Sequence, residues 1–323
     1  DFGFFEQNYF SVPIISVGNL TFGGTGKTPF TLWLSEHLAK KNKKTLILMR
    51  GYKGKLEHQS GFLKSDTKLG HNPYEYGDEA LLLARRLKNT SILVGKNRSE
   101  NLEFYYDREK PDVVILDDGH QHIKLARNLN IVLFDCLMPL KSYYVAPRGY
   151  MREGFSALKS ADIIVLGRAD QADFRKKDEL KKIIKKYCDP DIPFCEIRYK
   201  ISGIFSSDHT VSHYWKEIDK KQKNVICLAA VASPESFFAS DESLGLHVIQ
   251  KVSFPDHHYF TYGEISSLLE KAERDDAILL TTEKDMVKIK RIMDHPRICY
   301  LEIQIEFLSG QVEVESVIEG ILK

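Results

Sequence analysis

The segment Gly23-Gly24-Thr25-Gly26-Lys27-Thr28, which follows the apolar run Ile14–Val17, has the residue types and order of a polyphosphate cradle. Its glycines let successive backbone N–H groups turn toward phosphate oxygens. Lys27 reaches the terminal phosphates as a point charge, and the Thr28 hydroxyl can ligate Mg²⁺. Pro29 suits the first turn of a helix, where a missing N–H is no loss. The full pattern asks for glycine six residues before the lysine, where this chain has Thr21. Context supplies what the pattern lacks: Val12–Val17 reads as a strand, and Pro29–Lys40 carries helical apolar spacing through Phe30, Leu34 and Leu38.

A second group follows the apolar run Val113–Leu116, which ends in Asp117-Asp118-Gly119. Mg²⁺ beside phosphates wants hard oxygen ligands, so one aspartate can serve the metal while the other orients it or the substrate. The bland alternative is a buried strand closing in an Asp-Gly turn. His120 and His122 lack the nearby Cys or helix-spaced His that a zinc set needs, and Gln121 with His122 better suits polar recognition at a crevice mouth. Asp78, in Gly77-Asp78-Glu79, is either a helix N-cap or an acid group at the site. Asp256-His257 can hold one imidazole tautomer for acid–base work, or sit in an ordinary surface loop. The loop 147–154, with Arg152 and Glu153, is suited to meeting phosphate charge, and Thr281–Asp285 is a polar turn of unassigned role.

The elements that must position these groups alternate along the chain. Strand-like runs at 45–49, 91–94, 112–116, 130–134 and 162–166 are separated by helix-sized stretches, the rhythm of an α/β fold with a parallel sheet flanked by helices. Ligands in such folds sit outside the carboxyl ends of the strands, so the polar turns there converge on one crevice. After about Pro193 the runs shorten (194–199 and 203–205), and a second αβ series follows at 224–230, 247–252, 277–281 and 298–302. This predicts a kinase core over 1–198 and a smaller α/β domain over 199–323 that closes over the site, its C-terminal residues able to pack back on the core.

A net charge of +1 gives no reason to expect nucleic acid as a partner. The basic runs Arg175–Lys177 and Lys181–Lys186 read as the wet face of an amphipathic helix. Five scattered cysteines without a C-x-x-C pair suit a reducing cytosol rather than a zinc or redox site. No apolar run approaches the roughly 18 residues needed to span a bilayer, and no leader pattern is visible. The chain opens on Asp1 in an aromatic stretch, so membrane attachment through a preceding segment stays open.

Taken together, these segments resemble the tetraacyldisaccharide 4′-kinase family, the lipid A 4′-kinases of Gram-negative envelope synthesis. The resemblance rests on Val17–Pro29, including the threonine at 21, and on Arg50-Gly51-Tyr52, Gly77-Asp78-Glu79, Val94-Gly95 with Arg98, and Asp117-Asp118-Gly119 with Gln121-His122. Arg152-Glu153, Asp256-His257 and Thr282–Asp285 complete it, in order along nearly the whole chain. It implies a P-loop NTPase-like sheet and transfer of the ATP γ-phosphoryl group to the 4′-hydroxyl of an acylated glucosamine disaccharide 1-phosphate. It also implies roles. Gly23, Gly24, Thr25, Gly26, Lys27, Thr28, Pro29 and Arg152 would hold ATP. Thr28, Asp117, Asp118 and Glu153 would surround Mg²⁺. Asp78 would be the base, supported by His257 from the other domain after closure. Asn19, Arg50, Arg98, Gln121 and His122 would line the substrate crevice. The expected setting is peripheral, as a monomer on the cytoplasmic side of the inner membrane. Two departures stand out: this sequence starts after the apolar N-terminal helix usual in the family, and His120 stands where the family often has another aromatic or apolar residue.

An ATP-switch module of the partition or insertion type shares Gly-Gly-x-Gly-Lys-Thr but carries a lysine just before the glycine pair, where this chain has Phe22. A nucleotide-binding scaffold without chemistry would have no use for Asp78 and His257.

Overall fold

The computed structural model describes residues 7–65, 71–212, 215 and 224–322; the aromatic opening 1–5 lies outside them. The strands are β1 (Ile14–Asn19), β2 (Thr45–Met49), β3 (Gly61–Lys64), β4 (Thr90–Val94), β5 (Val113–Asp117), β6 (Leu129–Asp135), β7 (Ile163–Gly167), β8 (Phe194–Ser206), β9 (Asn224–Ala229), β10 (His247–Ser253), β11 (Ala277–Thr282) and β12 (Ile298–Ser309). The helices are α1 (Lys27–Lys40), α2 (Pro73–Tyr76), α3 (Asp78–Arg86), α4 (Arg98–Glu109), α5 (Phe174–Lys185), α6 (Pro234–Ser243), α7 (Tyr262–Arg274), α8 (Glu283–Ile289) and α9 (Gln311–Gly320).

Backbone contacts divide the chain into two compact units, one of residues 1–70, 83–199 and 305–323, the other of 71–82 and 200–304. In the first, the strand order is β8-β7-β6-β1-β5-β2-β4-β3. All neighbours are parallel except the edge strand β3, which runs antiparallel to β4. Strands β1, β2, β4, β5, β6 and β7 are buried from end to end. That is what a parallel sheet covered on both faces demands, and it explains their unbroken Val/Ile/Leu runs. One apolar layer gathers Val12, Leu46, Leu93, Leu102 and Val114; another gathers Leu20, Phe134, Leu158, Leu166 and Ile184. With β1 central between β5 and β6, the turns after β1 and β5 are neighbours, with Asp117 paired to Val17 two residues before Asn19.

In the second unit β10, β9, β11 and β12 lie in that order, all parallel. Ile226, Leu279, Met286 and Tyr300 lie in one apolar layer, and Val225, Phe238, Ile278 and Leu301 in another.

Two features differ from the sequence reading. The runs 194–199 and 203–205 form one continuous strand, β8, because Ser202 and Gly203 are not breakers here. The Ser202 hydroxyl donates to Glu302 Oε1 (2.7 Å), and a Cβ on Gly203 would stand 3.0 Å from the Phe205 ring. More consequentially, the segment 71–82 belongs with 200–304. Asp78 and His257 therefore lie in the same unit, not in opposite ones as expected. Their pairing needs no domain closure.

Candidate active site

The predicted residues fall into two groups, one in each unit. In the first, β1 delivers the chain to the loop 20–26. The last loop residue, Gly26, has φ +86°, and a Cβ there would collide with the Tyr199 hydroxyl, so only glycine fits. No side chain caps the N-terminus of α1, and its first turn holds no acidic residue. Its orphan N–H groups and positive dipole end are thus reserved for an anion. Gly23 and Gly24 are exposed, Thr25 is buried, and Lys27, Thr28 and Pro29 form the first turn of α1.

Lys27 is held from both sides. Its Nζ donates to Asn19 Oδ1 (3.1 Å) and stands 3.4 Å from Asp118 Oδ1. Asn19 is itself fixed by donating to the Thr21 carbonyl (2.9 Å). Arg152 Nη1 donates to Asp118 Oδ2 (2.8 Å) and to Gln121 Oε1 (3.3 Å), and its guanidinium lies over the Phe22 ring. The Gln121 amide in turn donates to Glu153 Oε1 (2.8 Å) and the Asn19 carbonyl (2.9 Å). Lys27, Asn19, Asp118, Gln121, Arg152 and Glu153 therefore form one connected network. Burial alone would raise the Asp118 carboxyl pKa, but Lys27 and Arg152 outweigh it and hold the group below its usual value.

Asp118 adopts a left-handed backbone (φ +47°), which turns it away from the direction of Asp117. The Asp117 carboxylate accepts from the Thr31 hydroxyl of α1 (3.1 Å). Arg98 holds this turn, donating to the carbonyls of Asp117 (2.7 Å) and Asp118 (3.2 Å). Arg127, which the motifs did not flag, holds the next turn through the carbonyls of Gly119 (2.9 Å) and His120 (2.8 Å). His120 is buried against Gly18, where a Cβ would lie 2.6 Å from its own Cβ. Burial, then Arg98 and Arg127, push the His122 pKa down to about 4, so its imidazole is neutral at physiological pH. Arg50 lies apart from the Lys27 network: its half-exposed side chain donates to Glu57 Oε1 (2.6 Å).

In the second unit Gly77, at φ +84°, ends α2 and Asp78 opens α3. The Asp78 carboxylate makes two hydrogen-bonding contacts. Its Oδ1 accepts the Glu79 N–H (2.9 Å) in the first turn, while Oδ2 lies 3.0 Å from His257 Nδ1. His257 is fixed by its left-handed backbone (φ +63°) and by donating its N–H to the Ala230 carbonyl (3.2 Å). Asp78 is only 5% exposed. That burial favours the neutral acid, yet the hydrogen bond from His257 and the charges of Lys284 and Lys288 prevail and keep the carboxyl below the ordinary range. Lys284 belongs to the Thr281–Asp285 turn whose role the sequence left unassigned, and Lys288, one turn on, was not singled out. Their i, i+4 spacing on α8 was the available signal, but it is also that of any solvated helix face.

A parallel α/β sheet with an uncapped helix after a glycine turn, a lysine in that turn and an aspartate pair on the neighbouring strand defines a P-loop phosphotransferase. The family described as Tetraacyldisaccharide-1-P 4'-kinase (LpxK) matches residues 1–323. The chain belongs to this family. It is 33% identical over 319 residues to the tetraacyldisaccharide 4'-kinase of Halothermothrix orenii, covering 94% of this chain and 83% of that one. With the Geobacter metallireducens enzyme of the same name it shares 31% over 321 residues, covering 99% and 91%. Among solved structures it matches the apo-form LpxK of Aquifex aeolicus in complex with ATP, with a TM-score of 0.78 and 28% identity, over 99% of this chain and 92% of that one. Among the described residues no helix is long and apolar enough to cross a membrane.

Proposed function

We propose that this protein transfers the γ-phosphoryl group of ATP to the 4′-hydroxyl of an acylated glucosamine disaccharide 1-phosphate, the lipid A precursor, with the following division of labour. The loop 23–28 and the N-terminus of α1 hold the phosphates, and Lys27 and Arg152 neutralise charge as the γ-phosphoryl leaves. Asp78, paired with His257, accepts the hydroxyl proton. Asn19 and Gln121 set the positions of these charges, while Arg98 and His122 shape the wall beside the Asp117-Asp118 turn. Arg50 is placed to meet an anionic group of the acceptor.

Mg²⁺ fits the first group of residues. Asp118 Oδ1 is buried without a hydrogen bond among the described residues, and Glu153, joined to the same network through Gln121, and Asp117, which accepts from Thr31, are further hard oxygen donors. Thr28, Asp117, Asp118 and Glu153 are the residues that would hold the ion. Bound there, it would neutralise charge on the β- and γ-phosphates. The protein acts at the cytoplasmic face of the inner membrane, where its lipid acceptor lies, as a peripherally held monomer.

The observation that carries this reading is the convergence of an uncapped helix N-terminus, Lys27 and Asp118 at the end of β1. Incubation with γ-labelled ATP, Mg²⁺ and detergent-dispersed disaccharide precursor should place label on the lipid. Label released only as inorganic phosphate, with or without lipid, would refute it.

A further inference from the structure

Lysine is among the residue types least often buried, and a buried ammonium is costly unless its charge is paired. Yet Lys288 exposes only 2% of its side chain. Its Nζ lies 2.7 Å from Asp285 Oδ1, 3.9 Å from Asp78 Oδ2 and 5.2 Å from the centre of the Phe260 ring. One turn earlier, Lys284 Nζ stands 3.5 Å from His257 Nε2, 3.9 Å from Asp78 Oδ2, 3.4 Å from Glu79 Oε1 and 3.9 Å from Asp256 Oδ1. Asp285 anchors the start of α8, accepting from the Ala230 N–H (2.8 Å) and the Thr282 hydroxyl (2.8 Å). Ala230 also receives the His257 N–H, so α8 and the His257 loop are tied to the same backbone residue.

We propose that Lys284 and Lys288 are positioning residues of the proton-accepting pair: Lys288 fixes the Asp78 carboxylate, and Lys284 fixes the tautomer of His257. Nε2 lies 3.5 Å from Lys284 Nζ and 3.7 Å from Asp256 Oδ2; the nearer ammonium has only protons to offer, and Nε2 presents its lone pair to it. The ring proton then sits on Nδ1 and is donated to Asp78 Oδ2. The same two charges oppose protonation of the Asp78 carboxylate before substrate arrives. They keep it competent at a lower pH than a lone buried carboxylate would be, consistent with the depressed Asp78 pKa.

The groups facing Asp78 are Glu79 from its own helix, His257 and Asp256 from the loop after β10, Tyr259 two residues on, and Lys284, Asp285 and Lys288 from α8. Removing either lysine leaves the acids among these in excess. The Asp78 pKa must then rise, and with it the acid limb of the rate profile. This inference rests on the reading of Asp78 and His257 as the proton acceptor.

The test measures kcat against pH at saturating ATP and acceptor, KM for ATP, and thermal midpoint, for Lys284→Gln, Lys284→Arg, Lys288→Gln and Asp78→Asn. Both glutamine variants should move the acid limb upward by about one pH unit, so that kcat falls about tenfold more at the acid end than at the alkaline end. KM for ATP should stay within about twofold, and Lys284→Arg should keep the wild-type limb. A uniform loss at every pH, or a lowered thermal midpoint with an unmoved limb, would make the lysines merely structural and overturn the proposal. Should Lys288→Gln not fold, the more accessible Lys284 carries the same test alone. An Asp78→Asn enzyme with wild-type rate and profile would remove the underlying reading instead. An inactive one beside unmoved lysine profiles would refute only the present inference.

Discussion

His257 Nδ1 lies 3.0 Å from Asp78 Oδ2, and both residues belong to one compact unit. A preformed hydrogen bond makes the two side chains a single device. Asp78→Ala and His257→Ala should each lower kcat by about 10²- to 10⁴-fold with little change in apparent ATP affinity. The double variant should be hardly worse than the poorer single one. Independent losses that multiply would show that the two act separately.

Lys27→Ala should reduce turnover by at least about 10²- to 10³-fold, as expected on deleting a charge that stabilises transferring phosphate. Its partners Asn19 and Asp118 stay fixed through Thr21 and Arg152, so the far-ultraviolet dichroism should match the parent. A folded variant with near-normal turnover would refute the cradle.

Asp117 and Asp118 should separate under a Mg²⁺ titration. Asp117 already accepts from Thr31, whereas Asp118 Oδ1, without a hydrogen bond among the described residues, stands 3.4 Å from the Lys27 ammonium. Asp118→Ala should therefore show the larger rise in the Mg²⁺ concentration giving half-maximal rate, several-fold at least. If neither variant changes metal response or rate, the aspartate turn is structural.

The buried His122 makes a pH prediction. In the folded chain its imidazole takes a proton only near pH 4, and in the unfolded chain near the ordinary value of about 6.5. Between those values the unfolded state binds more protons, so stability rises with pH across the window. The contribution is complete above about 6.5 and is lost as pH falls toward 4. Unfolding midpoints of His122→Gln should fall less steeply than wild type from pH 6.5 to 4. Parallel curves would contradict the assignment.

The cradle was legible because it is local: strand, glycine turn, lysine and helix start within one short segment, and β5 announces itself as Val-Val-Ile-Leu before its aspartates. Arg98 was legible as a site residue, yet its hold on the Asp117 and Asp118 carbonyls was not, since side-chain direction depends on how α4 packs. Edge strand β3 escaped notice because Gly61–Lys64 is short and carries no alternation long enough to read. Lys288 escaped because nothing within its own helix reveals that Asp78, from the other half of the chain, lies beside it. Assignment of 71–82 to the second unit is likewise a property of distant contacts.

That assignment bears on how the protein is made. Asp78 leaves the ribosome 179 residues before His257, an interval on the order of ten to forty seconds of synthesis. Throughout it the strands and helix that will surround Asp78 do not yet exist. Residues 71–82 wait for 200–304 before their unit can close, and the phosphate-binding unit, which takes in 305–323, is itself complete only when the chain ends. A fragment cut at residue 200 to isolate the C-terminal half would have His257, Lys284 and Lys288 gathered around a missing acid.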